Sequence, residues 1–163
     1  MKIISIIIIS LMFISHLPAQ VKTEWENNEK CSAPESAYYH KDSNAIFVAN
    51  IVGDGTAEDG NGHIAKISID GKTINAKWVK GLDAPKGMRS HNGILWVADI
   101  NKVVKIDISK GKILKKIKIK GANFLNDVAI SSKGVVYVSD TLKSTIYRVM
   151  ITELQASIKF IKI

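Results

Sequence analysis

Three segments of this 163-residue chain repeat one another. Ile46-Phe47-Val48-Ala49-Asn50, Leu95-Trp96-Val97-Ala98-Asp99 and Val136-Tyr137-Val138-Ser139-Asp140 are each a short apolar run closed by Asn or Asp. A second β-rich run follows each of them. Asp99 and Asp140 stand 41 residues apart. Asn50 and Asp99 stand 49 apart, and the extra length falls in the Gly-rich stretch 52–62. A period of about 40–45 residues with several strands per repeat is that of a β-propeller blade. Three blades do not close a ring. The spacing therefore predicts an all-β chain that forms a partial, about three-bladed propeller.

The pattern between the repeats supplies the other strands. Blade one is expected over about 34–80, with strands Ser36–Tyr39, Ala45–Asn50, His63–Ile69 and Ala76–Val79. Blade two is expected over 81–120, with strands Gly87–Arg89, Ile94–Ala98, Val103–Ile108 and Ile113–Ile119. Blade three takes 121–163, with strands Asp127–Ile130, Val135–Ser139 and Thr145–Met150, and a fourth strand from Ser157 onward. Asp70-Gly71, Asn92-Gly93, Lys110-Gly111 and Lys133-Gly134 fall between the runs, where Gly supplies positive φ. From Lys116 onward Lys and Ile alternate strictly. This predicts Ile117 and Ile119 facing inward and Lys116, Lys118 and Lys120 facing water.

That alternation bears on the net charge of +8. Lysines on a strand's solvent face discourage edge pairing and do not form a nucleic-acid patch. No RNA-binding aromatic motif or helix-turn-helix pattern accompanies them, so no nucleic-acid partner is expected. Met1-Lys2, the apolar run Ile3–Ile14 and a polar stretch ending at Ala19 read as a signal peptide over 1–19. The protein is expected to be exported, periplasmic or extracellular, with no membrane association after cleavage. Residues 20–33 read as an extended lead-in. Cys31, the single cysteine, allows no internal disulfide. The run ends without the Gly that opens a next blade. Two readings stand: a truncated gene or fragment, and a chain that pairs with a second copy to complete a ring.

In a propeller the innermost strand of each blade comes first. The starts of the first strands, the ends of the second strands and the loop 51–62 then meet at one rim. Glu35 stands at such a start, where β-propensity disfavours it, and Asn126-Asp127 stands at another. Asn50, Asp99 and Asp140 read as caps of the turns that follow them, with a rim role around a site as the alternative. The loop carrying Asp54, Glu58 and Asp59 does not match a calcium-binding helix–loop–helix spacing. It reads as a flexible turn, with a lid over the channel as its functional alternative. No nucleophile elbow or phosphate-binding loop is present.

Ala33-Pro34-Glu35-Ser36-Ala37, Ala84-Pro85-Lys86-Gly87-Met88 and Phe124-Leu125-Asn126-Asp127-Val128 resemble the strand-opening motifs of the senescence-marker-protein, gluconolactonase and luciferin-regenerating-enzyme family. The Val-Ala-Asp and Val-Ser-Asp strand ends resemble it too. The likeness covers about 33–148. It implies a six-bladed ring, of which this is the amino-terminal half. It also implies a divalent cation, calcium foremost, in the central channel, and hydrolysis of a lactone or another sugar-derived ester. By the same resemblance Glu35 and Asn126 are metal ligands, with Asp127 orienting or balancing charge. Lys86 stands where the family has a neutral residue, and a charged amine does not ligate a metal. The family's remaining ligands have no counterpart before Ile163, and the catalytic base is not assigned. The chain alone is therefore expected to be inactive as a lactonase. A non-catalytic binding propeller is the alternative.

Overall fold

The computed structural model describes residues 21–28, 31–151 and 156–161. The signal-peptide reading of 1–19 lies outside them. Twelve strands form three four-stranded antiparallel sheets, each a simple meander. The first holds β1 (Pro34–His40), β2 (Ala45–Asn50), β3 (Gly62–Ser68) and β4 (Thr73–Leu82). The second holds β5 (Pro85–His91), β6 (Ile94–Asp99), β7 (Lys102–Asp107) and β8 (Lys112–Lys118). The third holds β9 (Leu125–Ile130), β10 (Val136–Asp140), β11 (Thr145–Ile151) and β12 (Ala156–Ile161). These are three consecutive propeller blades. Among the described residues the only helical turn is the 3₁₀ turn Lys41–Ser43.

The sequence runs explain how the blades stack. Phe47 and Ala49 of β2 meet Leu95 and Val97 of β6 in one buried layer, with Ile64, Leu82 and Met88. The alternate residues of β6, Trp96 and Ala98, turn the other way and meet Val128, Val136 and Val138 of blade three. Blade two is thus buried on both faces. That is why Leu95-Trp96-Val97-Ala98 is continuously apolar and does not alternate. At the end of β8 and in the two residues after it the expected alternation is present: Ile117 and Ile119 are buried, while Lys116, Lys118 and Lys120 are exposed.

Two local features differ from the sequence reading or sharpen it. The outer strand β4 is longer than expected, Thr73–Leu82, and its pairing with β3 slips register three times. Its exposed face mixes Ile74 with Asn75, Lys77 and Lys80, so alternation marks it only in part. The Asn92-Gly93 turn between β5 and β6 has φ of 48° and 73°, the type I′ geometry that matches strand twist. The lead-in carries no strand among its described residues. It docks on the β3–β4 turn, where Trp25 Nε1 donates to the Ile69 carbonyl at 3.1 Å and Asn27 Nδ2 to Thr73 Oγ1 at 3.0 Å. Cys31 is half-buried and free.

Candidate functional site at the inner strands

The inner strands β1, β5 and β9 lie side by side, with β5 in the middle. Ser36 Oγ donates to the Lys86 carbonyl at 2.8 Å, and the Tyr38 and Ser90 hydroxyls meet at 2.9 Å. These bonds fix β1 against β5. β9 approaches β5 at Gly87, where a Cβ would stand 2.2 Å from Asp127 Oδ1 and 2.7 Å from the Asp127 Cα. Only glycine fits there.

Each inner strand opens with a bulge. Pro34 pairs with Asn50 and Ser36 with Ala49, leaving Glu35 as the extra residue. On β5 the irregularity covers Lys86-Gly87, and on β9 it covers Asn126-Asp127. Bulges re-aim side chains out of the pleat and are frequent beside functional sites. They account for Glu35 at a position that plain β-propensity disfavours.

A cavity of about 240 Å³ opens among these bulges. Glu35, Ser36, Gly87, Arg89, Asn126 and Asp127 line it. The structure therefore brings Glu35 and Asn126 together from blades one and three, with Asp127 beside them. Among the described residues neither the Glu35 carboxylate nor the Asn126 side-chain amide makes a hydrogen bond. Asp127 is engaged: its Oδ1 accepts from the Val128 N–H at 2.8 Å and lies 3.7 Å from Arg89 Nη1. Burial pushes the Glu35 carboxyl above its usual range; Lys86 opposes this shift and Asp127 adds to it.

Lys86 lies behind this cavity and is only 2% exposed. Its ammonium donates to the carbonyls of Ala84 at 2.9 Å and Gly55 at 3.4 Å, and lies 4.4 Å from the centre of the Phe124 ring. Burial holds its pKa below the ordinary 10.5, against the pull of Asp99 and Glu35. A base with a lowered folded pKa binds fewer protons folded than unfolded. Stability then rises with pH in the window below the unfolded value. The wild-type protein should gain stability over Lys86→Met as the pH rises toward the ordinary lysine pKa of 10.5, read in denaturant titrations. A difference that stays flat over that rise would contradict the burial.

Asn50, Asp99 and Asp140 do not line the cavity. They are buried, at 0%, 0% and 2% exposure, and they bind backbone. Asp99 accepts from the Asp83 N–H at 3.0 and 3.1 Å and from the Ala84 N–H at 2.8 Å. Asp140 accepts from the Asn123 N–H at 2.7 Å and the Phe124 N–H at 3.1 Å. Asn50 Oδ1 accepts from the Ser32 N–H at 3.1 Å. The expectation of caps on the following turns is corrected. The bonds run backward, to the segment that opens the same blade, and only Asp140 also holds its following turn, through the Lys143 N–H at 3.1 Å. The reason is register: the end of each second strand pairs with the start of the first, as in Pro85 with Asp99.

The loop 51–62 is likewise not a free turn. Asp54 closes on Thr56 and Asp59 on Asn61, each within two residues. Glu58 reaches across to blade two, accepting from Asn101 Nδ2 at 2.6 Å and Lys102 Nζ at 2.8 Å. Lys102 also pairs with Asp83, whose Oδ1 accepts the Gly60 N–H at 3.0 Å. Burial alone would lower the Lys102 pKa, but the hydrogen bonds it donates to Asp83 and Glu58 outweigh that and raise it. The loop is a strap tied across the rim of blade two, and it covers Lys86 through Gly55.

Sequence reasoning missed three members of this region. They are Arg89 on the cavity wall, Gly87 at the close approach, and the Glu58–Lys102–Asp83 tie. His40, His63 and His91 fall in β1, β3 and β5. Among the described residues no group of three or more His, Cys, Asp or Glu could hold a metal ion by itself. A larger cavity, about 480 Å³, lies at the opposite end of the blades among turn residues such as Ser43, Asn92 and Asp107.

No protein-family model matches the chain, and no curated protein matches it in sequence. Solved structures do match in fold. Virginiamycin B lyase from Staphylococcus aureus aligns at TM-score 0.58 and 18% identity, over 81% of this chain and 42% of that one. A chain of the nidogen/laminin complex aligns at 0.59 and 12%, over 78% and 47%. A protein of unknown function from Bacteroides caccae aligns at 0.55 and 13%, over 79% and 46%. The chain spans less than half the length of each. At these identities the likeness is one of architecture, and it makes the three sheets blades of a β-propeller.

Proposed function

We propose that this chain is three blades of an exported, lactonase-like propeller in which Glu35 and Asn126 hold a divalent cation, calcium foremost, in the central channel. One observation supports this above the others: two unengaged oxygen donors from different blades face one cavity. Carboxylate and amide oxygens are the donors a hard cation selects. Calcium takes six to eight oxygens, so water and groups beyond the described residues complete the set. Asp127, whose carboxylate accepts the Val128 N–H, balances charge beside Asn126 in the bulge that opens β9. Gly87 keeps the space between the strands open.

A bound cation would supply Lewis-acid chemistry toward an ester or lactone carbonyl. This chain contributes the binding half of such a site, and the general base is not among its assigned residues. Lactone hydrolysis is accordingly a property of the completed ring, whether further blades or a second copy completes it. The second reading, a non-catalytic binding propeller, is favoured by one observation: Arg89 already neutralises part of the acidic donor set.

The test is a calcium titration of the full chain by calorimetry, with lactone hydrolysis measured in parallel with and without chelator. The expected affinity is weak, with a Kd on the order of 10⁻³ M, and Glu35→Gln weakens it at least about tenfold. Equal affinity in wild type and Glu35→Gln removes the cation site. Hydrolysis that persists in chelator removes the metal-assisted chemistry and leaves the cation site to stand on its titration.

A further inference from the structure

We infer that the central cavity takes a carboxylate-bearing ligand, and that Arg89 is the residue that recognises it. The charge argument rests on the cation reading above; the geometry of Arg89 stands apart from it.

Arg89 is on β5, between the strands that carry Glu35 and Asn126, and it lines the same cavity. Its side chain is 45% exposed. Nη1 donates to the Met88 carbonyl at 2.7 Å, and the guanidinium lies 5.9 Å from the centre of the Tyr38 ring. Those two contacts orient the fork. The Asp127 carboxylate at 3.7 Å is beyond hydrogen-bond range, and a half-exposed pair of that kind is weak. A guanidinium has five N–H donors in a rigid plane. One is used here, which leaves an edge for a planar anion. Lys86 cannot serve instead, because its ammonium is buried and bonded to two carbonyls.

Charge selects the anion. The cavity wall holds two carboxylates, Glu35 and Asp127, and one guanidinium. A divalent cation added to them leaves one unbalanced positive charge. A monoanionic carboxylate cancels it, whereas a phosphate dianion overshoots. Arg and carboxylate also match as two parallel hydrogen bonds. The part of the cavity that this chain lines measures about 240 Å³, room for one sugar-sized ring against Arg89. The substrate class is thus an acidic sugar or its lactone, rather than a neutral one. Cation and carboxylate then assist each other's binding, and linkage requires the two effects to be equal.

The experiment compares D-glucuronate with D-glucose on the full chain, in saturating calcium and in chelator, for wild type, Arg89→Gln and Arg89→Lys. Melting curves establish that each variant is folded. In calcium, glucuronate should bind at least about tenfold tighter than glucose. Arg89→Gln should erase that ratio. Arg89→Lys keeps the charge, loses the fork and should cut the ratio severalfold; it carries the test if Arg89→Gln does not fold. Calcium affinity should rise in glucuronate by the factor by which glucuronate affinity rises in calcium. Equal binding of the two sugars, a preference unchanged in both variants, or no glucuronate binding at all would overturn the inference. A glucuronate preference that depends on Arg89 while calcium fails to bind would sink the cation reading and leave the role of Arg89 standing.

Discussion

An Asp99→Ala variant is expected to lose about 4 kcal/mol of stability, from two buried N–H groups left without acceptors and a buried cation without its counter-charge. The carboxylate is fully buried and takes three hydrogen bonds from the Asp83 and Ala84 N–H groups. Alanine offers those donors nothing. The change also removes the larger of the two charge effects, from Asp99 and Glu35, that support the Lys86 ammonium. Asp99→Asn keeps one acceptor oxygen in place and should lose only about 1–2 kcal/mol. Urea unfolding with a common slope reads both values. A loss below about 1 kcal/mol for Asp99→Ala would show that the 83–84 segment finds other partners.

Gly87→Ala should be the most damaging single methyl group that can be added near the cavity. The new Cβ would sit 2.2 Å from Asp127 Oδ1, 2.7 Å from the Asp127 Cα and 2.8 Å from the Asn126 carbonyl oxygen. Two of those atoms are backbone, so β9 must move as a unit. Overpacking of this kind costs about 1–3 kcal/mol. The displacement also carries Asn126 away from Glu35, so calcium affinity should fall together with the melting temperature. Gly55→Ala is the control: its φ is not in the left-handed region and its Cβ would meet only the Ile51 Cδ1, at 3.9 Å. It should change stability by no more than about 0.5 kcal/mol. A Gly87→Ala protein that binds calcium like wild type would mean the cavity tolerates a wider spacing of β5 and β9.

These two positions mark where the sequence can be read and where it cannot. The blades were legible because Leu95-Trp96-Val97-Ala98 must feed two apolar layers at once, and because Val97 and Val138 recur in equivalent second strands. Glu35 and Asn126 were legible as chemical oddities at strand starts. The direction of the Asp99 bonds was not. An acceptor's nearest donors in sequence are those of the next turn, and only the pairing of Pro85 with Asp99 makes residues 83–84 nearer in space. Arg89 was hidden for a related reason. A one-residue bulge reverses the face that later residues take, and Gly87, the residue that marks it, also reads as an ordinary strand-opening glycine. The strap was missed because Glu58 ties to a lysine 44 residues on, beyond any local pattern.

The backward bonds of Asn50, Asp99 and Asp140 close chain segments of nearly equal size, 18, 16 and 17 residues from Ser32, Asp83 and Asn123. The entropy of closing such a segment depends only weakly on its length, so the three closures cost about the same. Each blade thus carries its own fastening from local chain, and by this measure topology favours no blade as the place where folding starts. A unit that fastens itself can be copied, lost or appended with few changes to its neighbours, because what it must still match is the apolar layer between blades and a few polar ties across it. Ring size in such an architecture is then a matter of how many fastened units are strung together, and the geometry inside one unit does not set it.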